Sequence, residues 1–128
     1  MKGGTALGRA LGRGSARNGV HHWWVQRVSA VALIPLSLWF LLSLLALPGF
    51  DYASVTTFIG APWHAVLLCL FIGTVTWHSQ LGVQVVIEDY VHSGAAKLTL
   101  LLLNSAAHAV LLAAGVYALL RIALRSAA

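Results

Sequence analysis

The chain has 128 residues, 59% of them hydrophobic and only 9% charged, with a mean hydropathy of +0.85; soluble domains carry roughly 25% charged residues. Such a composition excludes a monomeric water-soluble globule, and one membrane domain is enough at this length. The formal net charge of +5 does not indicate a nucleic-acid surface, because five of the eight Lys and Arg precede residue 28 and are not interleaved with exposed aromatics.

Residues 1–27 are expected to form a basic cytoplasmic tail carrying Lys2, Arg9, Arg13, Arg17 and Arg27. The first 20 residues lack the apolar core, roughly 7–15 residues long, of a cleavable secretory signal. Gly8, Gly12 and Gly14 follow no strand and so form no nucleotide-binding fingerprint. The first span is predicted over residues 28–47, closed by Arg27 and broken by Pro48-Gly49, long enough for a hydrocarbon core of ~30 Å. Pro35 lies inside it and is expected to kink it. The second span is predicted over residues 61–87, with Pro62 in its first turn, and the third over residues 98–120, between Lys97 and Arg121. Residues 122–128 are left as a short tail. All three spans should be helices, because an open sheet in lipid leaves backbone groups unpaired. Residues 28–121 are thus expected to form a single all-α domain of three transmembrane helices.

The tail and the loop between the second and third spans carry six Lys and Arg; the opposite side has two, Arg121 and Arg125, and residues 48–60 hold only Asp51. The positive-inside rule then predicts a cytoplasmic N-terminus and a periplasmic C-terminus. Trp23, Trp24 and Trp63 fall at span edges, where an aromatic belt is expected.

Polar residues inside a span carry most of the functional information. His78 lies near mid-depth of the second span, and Asp89 and Tyr90 follow at its cytoplasmic end, Tyr90 about 18 Å further along the axis if the helix persists. Thr74 and Gly82 stand four residues either side of His78, leaving room for a flat ring or a close helix. The imidazole is open to three uses: a bond to a neighbouring helix, ligation of a metal or haem, or proton relay. Tyr90 is either an interfacial anchor or a ligand contact, and Asp89 a solvated helix-end carboxylate or part of a polar pocket. His108, one turn from Asn104, could pair with His78 around a haem, but the stripe it makes with Asn104 favours a helix–helix contact. His22, His64 and His92 flank the spans. Cys69, the single cysteine, can form no intrachain disulfide and is expected to be a small buried hydrophobe.

The order Arg17-Asn18-Gly19-Val20-His21, Arg27, His78-x-x-x-Gly82 and Asp89-Tyr90 resembles the small hydrophobic membrane anchor of succinate dehydrogenase, respiratory complex II. The run Gln84-Val85-Val86-Ile87-Glu88-Asp89-Tyr90-Val91-His92 is most similar to alphaproteobacterial and mitochondrial-type versions. The resemblance spans roughly residues 17–120 and implies several roles. His78 would be one axial ligand of haem b, the second coming from a companion cytochrome b anchor, also of three helices. His21 and Arg27 would lie beside the haem propionates. Tyr90 would hydrogen-bond ubiquinone, with Asp89 organising that pocket. FAD and the iron–sulfur clusters would belong to the flavoprotein and iron–sulfur subunits alone. The implied protein is a multi-pass anchor in the bacterial inner membrane that passes electrons from succinate to ubiquinone. An anchor of a fumarate reductase, or a non-redox transporter or assembly protein, is the alternative; a transporter would gain from internal repeats, and none is found.

Overall fold

The computed structural model describes residues 16–126, with side chains from Val20 to Arg125. Lys2, Arg9 and Arg13 of the basic tail, and the last two residues, lie outside the described residues. The described chain is all-helical: α1 (Ala16–Leu45), α2 (Tyr52–Gly60), α3 (Pro62–Tyr90) and α4 (Gly94–Ser126). Three of these are long and apolar enough to cross a membrane, over Val20–Leu45, Pro62–Tyr90 and Gly94–Arg125.

Each long helix continues past the charged residue that bounded its uncharged stretch. α1 begins at Ala16, so Arg17 and Arg27 sit on helix, and it runs on through Pro35 to Leu45. α3 keeps its helical path to Tyr90 and therefore carries His78, Asp89 and Tyr90 on one continuous rod. At 1.5 Å per residue its 29 residues reach about 43 Å, more than a hydrocarbon core of ~30 Å needs.

The short helix α2 lies in the segment that links the first two spans. Its start is set by Asp51, whose carboxylate accepts bonds from the backbone N–H groups of Ala53 and Ser54, both at 3.1 Å, and from the Ser54 hydroxyl at 2.6 Å. These satisfy donors that a helix N-terminus leaves free. Ala61 ends α2 in extended backbone and begins α3, with Pro62 at the first helical position, where its missing N–H costs nothing.

α3 is the central element, packing against α1, α2 and α4, while among the described residues no Cα of α1 comes within 8 Å of α4. The three long helices therefore do not close into a bundle around a shared axis. Their apolar core gathers toward the α2 end, where Ala65, Leu68 and Leu119 are packed by Trp39, Phe40, Phe58, Ile59, Cys69 and Ile72. Cys69 is thus a partly buried packing residue. His64 bonds through Nδ1 to the Phe58 carbonyl at 3.0 Å and stacks on the Phe58 ring with centroids 4.2 Å apart, which clamps α2 onto α3. Most large apolar side chains of α1 and α4 stay exposed on this chain, as expected where lipid or another subunit covers them.

α3 and α4 are joined by only Val91, His92 and Ser93. The turn is held by Lys97, whose ammonium donates to the Glu88 carbonyl at 2.9 Å. A cation on the orphan carbonyls of a helix C-terminus also complements its dipole. The partial negative charge beside Asp89 and Tyr90 is thereby met from within the chain.

Candidate functional site

The turn of α3 from His78 to Gln80 sends successive side chains to two different neighbours, because consecutive helix positions lie about 100° apart. His78 faces α1. Its Nδ1 lies 3.0 Å from Ser29 Oγ and its Nε2 3.5 Å from Gln26 Nε2. Ser79 and Gln80 face α4: Ser79 Oγ lies 3.2 Å from His108 Nε2, Gln80 donates to Ser105 Oγ at 3.2 Å, and its carbonyl accepts from Asn104 Nδ2 at 3.0 Å. His108 Nδ1 lies 2.9 Å from the Asn104 carbonyl of its own helix. His78 and His108 therefore sit in separate polar contacts on either side of α3, and His108 belongs to a hydrogen-bonded seam between α3 and α4. Asn104 is buried there, 8% exposed. That is the helix-contact stripe expected from its spacing.

The His78 contact has a definite hydrogen-bond order. Ser29 is 9% exposed, and its hydroxyl donates to the Gln26 carbonyl at 3.0 Å. With its proton directed there, Ser29 Oγ accepts from His78, which puts the imidazole proton on Nδ1; the Gln26 amide nitrogen beside Nε2 favours the same tautomer. The assignment follows from the network, as tautomers must. It leaves Nε2 with its lone pair, the form of histidine that binds a metal. The neighbouring Gln26 amide approaches Nε2 at a distance where a hydrogen bond is weak.

Two further polar atoms beside this histidine lack any partner. Gln26 Oε1 and His22 Nε2 are buried with no hydrogen bond, a condition that costs a protein of order 1–3 kcal/mol per group unless something completes it. His22, Gln26, Arg27 and Ala30 of α1, with His78 and Val85 of α3, line a cleft of about 340 Å³. Its volume lies at the small end of the range for ligand sites. The Arg27 guanidinium sits over the Trp23 ring at 5.4 Å, which holds a cation at the rim of the cleft. The open flank at Gly82 matters less than its spacing suggested: a Cβ there would meet only Gln26 Nε2, at an ordinary 3.8 Å.

The expected site residues are not all brought to one place. Arg27 shares the His78 cleft, whereas His21 lines two neighbouring clefts, one with Trp77, Gln84 and Glu88 and one with Trp24, Ser29 and Trp77. Asp89 and Tyr90 end α3 as exposed side chains, Tyr90 at 77%. Neither lines a described cleft or makes a described hydrogen bond. Glu88 is exposed and accepts from Gln84 at 2.8 Å. Sequence reasoning missed Ser29 and Gln26. One signal for them was present, since 22, 26 and 29 share a helix face, as do 78, 82 and 85.

A porphyrin iron needs a neutral imidazole lone pair, a dry wall and a counter-charge for its carboxylates. His78 Nε2 and Arg27 fit the first and the last of those needs, for one ligand only. Among the described residues no group of three or more His, Cys, Asp or Glu could hold a metal ion.

The geometry thus defines a class, an all-helical chain with three helices able to cross a membrane and polar clefts along their flanks. The comparisons with known proteins agree. The model of the family described as succinate dehydrogenase/fumarate reductase transmembrane subunit matches residues 1–120. A succinate dehydrogenase hydrophobic membrane anchor subunit of Rickettsia bellii (strain RML369-C) is 36% identical over 94 residues, covering 73% of this chain and 75% of that protein. The corresponding protein of Paracoccus denitrificans is 34% identical over 115 residues, 90% of this chain and 88% of that one. The succinate dehydrogenase membrane anchor subunit of Reclinomonas americana is 32% identical over 85 residues, 64% and 71% of the two chains. The chain belongs to the succinate dehydrogenase/fumarate reductase transmembrane subunit family. With its three apolar helices it is a multi-pass inner-membrane protein.

Proposed function

We propose that this chain is the membrane anchor of a succinate:ubiquinone oxidoreductase, contributing one axial ligand to haem b and one wall of a ubiquinone site. The observation that carries the reading is the 3.0 Å contact of Ser29 Oγ with His78 Nδ1, which leaves Nε2 as the nitrogen available to ligate in a cleft edged by Arg27. On family resemblance, the second histidine ligand would come from the companion cytochrome b anchor. Haem, if bound, would be held through His78 Nε2 and would supply a one-electron centre. Ser29 fixes the imidazole, and Arg27 balances the propionates. His21, in a neighbouring cleft, is assigned to the propionate side on family resemblance alone.

Tyr90 and Asp89 serve the quinone from the same end of α3. At that edge a phenol can donate to a quinone carbonyl while water supplies protons and the isoprenoid tail enters lipid. The exposure of both side chains on this chain suits a pocket whose remaining walls belong to partners. With the N-terminus cytoplasmic, that edge faces the flavoprotein and iron–sulfur subunits, which hold FAD and the clusters and oxidise succinate; this chain does not.

The named relatives are all succinate dehydrogenase subunits, which favours this direction over a fumarate reductase. A transporter path through Asn104 and His108 loses support from the bonds that tie both residues into the α3–α4 seam. The test is Tyr90→Phe in the purified complex. Quinone reduction should fall while succinate oxidation by a soluble artificial acceptor stays unchanged; equal loss of both would make Tyr90 structural.

A further inference from the structure

The end of the molecule away from Tyr90 carries the two basic residues that run against the charge asymmetry of the rest of the chain, Arg121 and Arg125. They are one turn apart on α4, with Tyr117 one turn before them, so all three share a face. α2 packs against this part of α4, and between them lies a cleft of about 460 Å³ lined by Tyr52, Thr56, Tyr117, Arg121 and Arg125 among others. Thr56 is satisfied within α2, its hydroxyl donating to the Tyr52 carbonyl at 2.7 Å. The phenols of Tyr52 and Tyr117 and both guanidiniums make no described hydrogen bond or ion pair. Asp51, next to Tyr52, accepts from Ser54 and the start of α2 and makes no described ion pair with either arginine.

Depth adds a second, independent constraint. Measured along α4 from Lys97, which caps α3 at the opposite face, Tyr117 lies about 30 Å away, Arg121 about 36 Å and Arg125 about 42 Å. A hydrocarbon core is ~30 Å thick, and the headgroup layers bring a bilayer to ~40–45 Å. With Lys97 at one hydrocarbon edge, Tyr117 falls at the other and the arginines in the phosphate layer beyond it. Phe50, Tyr52 and Trp63 are exposed around the same end, as an interfacial belt requires. Arg125 alone could be explained as a cation at a helix C-terminus. Arg121, a full turn further in, has no such explanation.

We propose that this cleft binds the phosphodiester of an anionic phospholipid. Arg121 and Arg125 grip the phosphate oxygens, for which guanidinium geometry is suited, and the phenols of Tyr117 and Tyr52 donate to phosphate or ester oxygens beneath. Two unneutralised cations disfavour a headgroup that carries its own positive charge. On the orientation proposed above the lipid belongs to the periplasmic leaflet.

The test is native mass spectrometry of the detergent-purified complex containing this chain, titrated separately with dioleoylphosphatidylglycerol, dioleoylphosphatidylcholine and inorganic phosphate. Wild type should retain phosphatidylglycerol in preference to phosphatidylcholine. Arg121→Gln with Arg125→Gln should weaken that retention about tenfold, equivalent to about 1.4 kcal/mol. The corresponding Lys pair should restore most of it, and Lys97→Gln at the opposite face should leave it unchanged. Retention by the Gln pair equal to wild type, or equal retention of both lipids by wild type, overturns the proposal. Displacement of lipid by millimolar phosphate makes the site one for a free anion and overturns the lipid assignment. A Gln pair that keeps its lipid but sheds a partner protein assigns the arginines to a protein carboxylate instead. If the Gln pair does not assemble, Tyr117→Phe decides: retention falls severalfold if the cleft holds the lipid and is unchanged if it does not.

Discussion

Ser29 Oγ lies 3.0 Å from His78 Nδ1 across the α1–α3 contact and donates at 3.0 Å to the Gln26 carbonyl of its own helix. One hydroxyl thereby fixes both the orientation and the tautomer of the histidine. It acts as a relay from backbone to ring, the arrangement that orients metal-ligating imidazoles.

Ser29→Ala removes the hydroxyl beside Nδ1 and leaves a half-buried ring nitrogen without that partner. Loss of an outer-shell partner typically costs 10–100-fold in affinity for the ligated metal. Haem should dissociate from the purified variant complex correspondingly faster than from wild type, measured by transfer to an apo-haemoprotein acceptor. Ser29→Thr keeps the hydroxyl and should behave as wild type. Equal haem retention in the Ala variant would remove the relay role.

α3 and α4 meet closely at Gly115, where a Cβ would stand 3.2 Å from Ile72 Cγ2. Gly115→Ala asks Ile72 to yield by a few tenths of an ångström, whereas Gly115→Leu overpacks the contact and should cost about 1–3 kcal/mol. The measurement is unfolding in mixed micelles, with Ile72→Ala introduced alongside. Relief of most of the Gly115→Leu penalty by Ile72→Ala would verify the contact; additive losses would contradict it.

Asp51 has its carboxyl held below the ordinary carboxylate range, chiefly by the Ser54 hydroxyl and then by the Ser54 backbone N–H, with burial opposing. Because the folded pKa is the lower one, the cap's contribution is fully present above the unfolded pKa and is lost as pH falls through the folded value. Amide exchange at Ala53 and Ser54 should therefore show reduced protection only under acid conditions. Asp51→Asn should abolish that pH dependence. Protection that does not change on acidification would contradict it.

Much of the fold was legible because lipid imposes simple rules. Long uncharged runs announced the three spans, and the persistence of α3 to Tyr90 placed His78 and the Asp89-Tyr90 pair on one rod. The Asn104 and His108 stripe was legible from spacing alone. The short helix α2 was not anticipated, since its apolar run is too short to span; its signal was local, Asp51 followed three residues later by Ser54. Ser29 and Gln26 were hidden for a different reason. Their partner His78 is 49 and 52 positions away, and periodicity names a helix face without naming the helix it will meet. Nor could spacing show that His21 and Arg27, six positions apart, would line different clefts.

The central claim, that His78 ligates haem b from one side, is tested most directly by reduced-minus-oxidised visible spectra of the complex purified through this chain. Wild type should show a b-type signal, His78→Ala should lose or shift it, and His108→Ala should keep it unchanged, because His108 is bonded to Ser79 and Asn104 on the other side of α3. A wild-type complex without the signal, or a His78→Ala complex that retains it unaltered, contradicts the account.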